Sequence, residues 1–136
     1  MQLVADANVL LAAVLGGRAR LIIEHPRVEE LFTPAVTLEE VQEYALVLAR
    51  KKRLPQDVLL LAVESLPATV VERETYARSL SEARGRISRR DPDDVDVLAL
   101  ALHVQIPLWS NDHDFRNCGV ELLTTAALLR RLGIIA

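Results

Sequence analysis

The chain has 136 residues, 51% of them hydrophobic and 26% charged, with a formal net charge of -3. That size and apolar content suit one domain with a real core and exclude a disordered chain, while a single cysteine, Cys118, excludes an internal disulfide framework. His25, His103 and His113 are too dispersed for a zinc site, and the longest apolar run, Val97 to Val104, is too short to cross a bilayer, so a protein of the reducing cytoplasm with no targeting or membrane segment is expected.

Gln2 to Ala5 reads as a short buried strand that stops at Asp6, and Asn8 to Leu15 as a helix stopped by Gly16-Gly17. Glu29 to Pro34 alternates as a second strand. A helix follows from about Thr37 to Arg53, and another from Pro55 to Leu66. Ala68 to Glu72 supplies a third strand, Glu74 to Ile87 a polar helix and Pro92 to Gln105 an apolar one. Pro107 to Ser110 and Glu121 to Thr124 are the last strands, before a C-terminal helix. Strands rich in Val, Leu and Ile alternating with helices predict a single three-layer α/β/α domain over residues 1–136, with a mainly parallel sheet of four to five short strands. Ligands bind at the carboxyl ends of such strands, and Asp6 and Asp112 both follow a strand there.

Four aspartates fall between Asp91 and Asp96. Asp91 reads as a helix N-cap with Pro92 in the first helical position, and Asp93 and Asp94 meet the positive end of the helix dipole. Capping does not account for Asp96. Asp91 pairs by phase with Asp94, and Asp93 with Asp96, so only one pair can face Asp6 and Asp112. Helix-start geometry favours Asp94, with Asp96 or Asp91 as helper. On the helix after Thr37, an inward stripe of Val41, Tyr44, Ala45 and Leu48 leaves Glu40 at its border and turns Glu39 and Glu43 away. In Ser110-Asn111-Asp112-His113-Asp114-Phe115 a polar turn carries two carboxylates, Phe115 anchors it and His113 is a surface residue.

Several carboxylates in one pocket raise each other's pKa unless a cation relieves them. Mg2+ or Mn2+ suits an all-oxygen site, and two such ions about 4 Å apart can activate water and stabilise the leaving oxygen in phosphodiester cleavage. Basic residues are also segregated. Arg50, Lys51, Lys52 and Arg53 form one cluster. A second stretch of arginines ends at Arg84, Arg86, Arg89 and Arg90, directly against the aspartates.

Val4-Ala5-Asp6-Ala7-Asn8, Leu38-Glu39-Glu40-Val41, Asp91-Pro92-Asp93-Asp94 running into Leu98-Ala99-Leu100-Ala101, and the Ser110 to Phe115 segment, in that order, resemble the motifs of the PIN-domain nucleases, including the VapC-type toxins of bacterial and archaeal toxin-antitoxin pairs. The resemblance covers essentially the whole chain. It implies a PIN-like ribonuclease using Mg2+ or Mn2+, with Asp6, Glu40, Asp94 and Asp112 at the acidic positions and water as nucleophile. The metals bind mainly through Asp6, Asp94 and Asp112, and Arg84, Arg86, Arg89 and Arg90 can hold the RNA backbone beside the acidic pocket. Glu40 completes the set, Asn8 and Ser110 orient ligands with Asp114 in support, and cleavage leaves a 5′-phosphate and a 3′-hydroxyl. It further implies a homodimer and an antitoxin protein that inserts a basic residue into the pocket. Extra aspartates at 91, 93, 96 and 114 depart from the common pattern and leave the individual ligands open among them.

Two other readings compete. A receiver-like phosphorylation domain also gathers aspartates around Mg2+ at strand ends, but it requires a lysine on a late strand, and Lys51 and Lys52 fall inside a helix. A catalytically silent PIN-like binding or scaffold module is the other, against which the intact acidic set speaks.

Overall fold

Short runs of β-branched and aliphatic residues separated by helices leave a parallel sheet as the arrangement that buries both faces of each strand. The computed structural model describes residues 1–87 and 92–136, and of Asp93 the backbone alone. Its strands β1 (Gln2–Ala5), β2 (Glu30–Pro34), β3 (Thr69–Val71), β4 (Leu108–Trp109) and β5 (Leu122–Leu123) form one parallel sheet in the order β3-β2-β1-β4-β5. The three-layer α/β/α architecture is as expected. Helices α1 (Ala7–Val14), α2 (Ala19–Ile23), α3 (Ala35–Lys52), α4 (Gln56–Glu64) and α8 (Thr125–Arg131) build one core with Leu3, Ala5, Leu31 and Trp109. Helices α5 (Arg73–Tyr76), α6 (Leu80–Ile87) and α7 (Pro92–Val104) build the other with Val4 and Leu108. The two-residue period of β1 sends its fully buried side chains alternately to the two cores.

The chain runs from β1 outward to β2 and β3, then returns to lay β4 on the other side of β1. Strand order therefore reverses between β1 and β4. The connections leave these two strands in opposite directions, which opens a crevice at their carboxyl ends. Asp6 and Ser110 are the residues next after those two strands.

Three features depart from the sequence expectation. Helix α2 is too short to show a periodic signal; it begins after Gly16, whose φ of +82° ends α1 in a turn that a side chain resists. The helix expected over Glu74 to Ile87 is interrupted by a 3-10 turn at Ala77–Ser79, next to Tyr76, which turns inward to a buried carboxylate that local periodicity does not reveal. The buried ridge of α3 is Thr37, Val41, Ala45 and Ala49, while Tyr44 is 40% exposed. Close approach of α3 to its neighbours selects the small side chains, so bulk misleads where packing distance governs. Among the described residues, no helix is long and apolar enough to cross a membrane.

Candidate active site

Asp6 leaves β1 and at once caps α1, its Oδ1 accepting the Val9 N–H at 3.0 Å. Its Oδ2 accepts the hydroxyl of Ser110, which leaves β4, and the Ser110 Oγ in turn accepts the Asp112 N–H at 3.0 Å. Asp112 repeats the capping device on the following 3-10 turn (His113–Phe115), its Oδ1 accepting the Asp114 N–H at 2.9 Å. Ser110 is therefore a fully buried bridge that fixes the two strand-end aspartates relative to each other. The side-chain amide of Asn111 accepts and donates to Thr125, tying the same turn to α8.

Asp6 and Asp112 wall a cleft of about 230 Å³ together with Ala7 and Asn8 of α1, Thr37, Glu40 and Tyr44 of α3, Asp94 and Val97 of α7, and Asp114. Glu40 and Tyr44 stand three and seven residues after Thr37, one face of a helix, so α3 contributes a stripe running from the floor to the rim. Asp6 is 6% exposed. Burial, with a smaller push from the charge of Asp112, raises its carboxyl above the ordinary value despite the hydrogen bonds that favour the anion. Asp6, Glu40, Asp94 and Asp112, expected at the acidic positions, thus line one cleft, with Asn8 and Asp114 beside them and Ser110 holding Asp6 from behind.

Thr37 is the residue the sequence reading passed over. It is 1% exposed, lines the cleft, and its Oγ1 has no hydrogen-bond partner within the protein among the described residues. A polar residue in phase with Val41, Ala45 and Ala49 was the signal available. An orphaned buried hydroxyl costs about 1–3 kcal/mol, and it is retained where the site itself supplies a partner.

Asp96 goes elsewhere. Expected among the metal ligands, it is 3% exposed and bound on the far side of α7, where Arg73 grips both its oxygens at 2.9 and 2.8 Å and the Tyr76 hydroxyl donates to it at 2.5 Å. The buried charge holds the Arg73 guanidinium more firmly protonated and pushes up the Tyr76 phenol, the latter chiefly through burial. Its role is to lock α7 to α5. Asp91, the other expected helper, lies outside the described residues, as do Arg89 and Arg90 and the side chain of Asp93. Arg84 and Arg86 are exposed on α6; Arg86 pairs with Glu82 of its own helix at 2.8 Å, and neither lines the cleft.

The donor set is all oxygen, which suits a hard divalent cation. Among the described residues, no three His, Cys, Asp or Glu side chains gather closely enough to enclose an ion by themselves. Mg2+ does not require such a cage, because it commonly keeps waters and takes one or two carboxylates with substrate phosphate. A buried carboxylate of raised pKa and an orphaned hydroxyl in the same cleft fit that mode. A larger cavity, about 480 Å³, lies at the amino ends of β4 and β5, but its carboxylates Glu82 and Glu121 are committed to Arg86 and Arg131.

No curated protein matches the sequence. Similar solved structures include PAE2754 from Pyrobaculum aerophilum, with a TM-score of 0.76 at 18% identity over 99% of this chain and 97% of that one. VapBC2 from Rickettsia felis, bound to a DNA fragment from their promoter, gives 0.65 at 13% identity over 91% and 98%. FitAB bound to the IR36 DNA fragment gives 0.65 at 16% over 90% and 94%. These likenesses show a shared fold. Residues 4–133 match the family model of the PIN domain, and the chain therefore belongs to the PIN-domain family, whose members are generally nucleases.

Proposed function

We propose that the chain is a metal-dependent ribonuclease, the toxin of a toxin-antitoxin pair, that hydrolyses RNA with water as nucleophile. The observation that carries the reading is the convergence of Asp6, Glu40, Asp94 and Asp112, from four separate parts of the chain, on one cleft at the reversal of strand order. Mg2+ or Mn2+ bound there supplies a lowered pKa for the attacking water and positive charge for the leaving oxygen. Asp6, Asp94 and Asp112 hold the ions. Ser110 and the Val9 N–H fix both oxygens of Asp6, so its orientation is set before substrate arrives. Glu40 completes the acidic wall, Asn8 and Asp114 orient ligands, and Thr37 offers its hydroxyl to the cleft's occupant. Water attacks phosphorus, the bond to O3′ breaks, and O3′ takes a proton, leaving a 5′-phosphate and a 3′-hydroxyl.

The toxin reading rests on the VapC-type motifs, and the shared fold with VapBC2 and FitAB supports it. A homodimer and a cognate antitoxin belong to the same proposal. The test is cleavage of labelled RNA with Mg2+, Mn2+ or EDTA. EDTA should abolish cleavage, and Asp94→Asn and Asp6→Asn should each lower it by about 10² or more, the scale for losing one preorganised charged group. Cleavage that survives EDTA, or that ignores both substitutions, refutes the mechanism.

A further inference from the structure

Asp6, Glu40, Asp94, Asp112 and Asp114 at one cleft repel the phosphates on either side of the bond to be cut, so the attraction that holds a substrate strand has to come from the cleft's surroundings. The outward face of α3 begins inside the cleft at Glu40 and Tyr44, passes Val47 and reaches Lys51. Seven residues separate Tyr44 from Lys51, two helical turns or about 10 Å, and bring both onto one side of the helix. Val47, 46% exposed, sits between them.

Two observations along this face point to a nucleic-acid strand. Among the described residues Tyr44 is the most exposed aromatic side chain, at 40%: Trp109, Tyr76 and Phe115 are fully buried and Phe32 is half-buried. A ring that lines a phosphodiesterase cleft and is partly exposed to solvent is a surface on which an unpaired base stacks, whatever its identity. Second, Arg50, Lys51, Lys52 and Arg53 are all exposed where α3 ends, and among the described residues none pairs with a carboxylate. One helix terminus gains little from more than one or two cations, so the dipole leaves most of this charge without a use. On a chain of net charge -3 it is a local positive site matched to a polyanion.

We infer that the outward face of α3 is a track for single-stranded RNA leaving the cleft, with Tyr44 stacking the base beside the scissile phosphate and Lys51 contacting a phosphate farther along. The inference rests on the nuclease reading for its substrate but is testable apart from it. Binding of a short, labelled single-stranded RNA of mixed sequence is followed by fluorescence anisotropy on the full chain carrying Asp94→Asn, and cleavage on the otherwise wild-type chain. Tyr44→Ala should weaken binding and raise KM about tenfold, with Tyr44→Phe close to wild type. Lys51→Gln should reduce the salt dependence of binding by about 0.7 in the log-log slope, as one lost phosphate contact on a single strand does, whereas Tyr44→Ala leaves that slope unchanged. Wild-type binding and wild-type slope in these variants overturn the track while leaving the nuclease intact. Weakened binding in a protein that cleaves no RNA upholds the track and removes the nuclease. A change of oligomeric state in Tyr44→Ala without a change in RNA binding makes the face a subunit contact and also overturns it.

Discussion

Replacing Thr37 with valine separates what the cleft costs the protein from what it contributes to ligand binding. The Thr37 hydroxyl is buried without a partner among the described residues, and leaving it so costs about 1–3 kcal/mol. Valine keeps the branched shape and differs little in helix propensity, so it removes the penalty without opening a cavity. Taking the low end, Thr37→Val should stabilise the protein in EDTA by about 1 kcal/mol, or about 3 °C in Tm for a chain of this length. With Mn2+ the order should shift. A cation held at a hundred times its Kd adds about 2.7 kcal/mol to a protein that binds it, and valine forfeits part of that binding, so the advantage narrows or reverses. Thr37→Ser is the matched control: it loses a buried methyl, costs about 1 kcal/mol in EDTA, and keeps the response to Mn2+. Thermal unfolding of the three proteins with EDTA and with Mn2+, beside RNA cleavage rates, reads all of this. A Thr37→Val protein that is destabilised in EDTA, or that gains as much from Mn2+ as wild type, shows the hydroxyl to be satisfied within the fold and ends the argument.

The raised carboxyl of Asp6 gives a pH dependence of opposite sign to that of a surface carboxylate. The native state keeps a proton that the unfolded chain has released above its ordinary value of 3.8, so this stability is full below that pH and is lost as pH rises through the folded value. In EDTA, unfolding free energy from denaturant titration should therefore fall across the weakly acidic range in wild type and stay flatter in Asp6→Asn, with Mg2+ restoring the loss; equal slopes in both proteins would remove Asp6 as the source. The Arg73–Asp96 pair should behave structurally. Its arginine is 55% exposed, so Arg73→Ala should cost about 2 kcal/mol in denaturant unfolding, less than the 3–5 kcal/mol of a pair buried on both sides. Asp96→Asn should lower stability while leaving the Mn2+ affinity of the folded protein within about threefold, and a loss on the scale of Asp94→Asn would return Asp96 to the metal ligands.

What the sequence made legible follows from the range of the physics involved. The placing of Asp6 and Asp112 on one cleft was legible because each follows an apolar strand, and in a parallel sheet that fixes the edge where they emerge. The placing of Glu40 on the cleft was legible from helical phase, a local property. Asp96 was not, because its partners Arg73 and Tyr76 lie 23 and 20 residues away and nothing local announces them. Tyr44 was misplaced inside because hydrophobic pattern rewards bulk, whereas the contact α3 makes through Ala45 and Ala49 rewards smallness. The second basic stretch was assigned to RNA from its nearness in sequence to the aspartates, yet Arg86 pairs with Glu82 of its own helix, while the cluster from Arg50 to Arg53, given no role from the sequence, includes Lys51 on the side of α3 that carries Tyr44.

The Asp-rich stretch shows how one helix start can hold both a carboxylate of the cleft and its support. Asp94 and Asp96 are about 200° apart around α7, so they cannot serve the same surface. Asp94 lines the cleft; Asp96 is buried on the opposite side, fastened by a forked arginine and a phenol to α5. A carboxylate at the first turn of a helix is only as well placed as that turn, and first turns fray unless something outside the helix holds them. The clamp on Asp96 supplies that restraint two residues from Asp94, at the cost of burying a charge that is itself matched with two donors. Ser110 plays the same part for Asp6 from the end of β4. The acidic cleft therefore depends on groups that do not face it. Loosening the Asp96 clamp should blunt cleavage by misplacing Asp94 even when the protein stays folded and binds its metal, a fall in kcat without a matching fall in affinity.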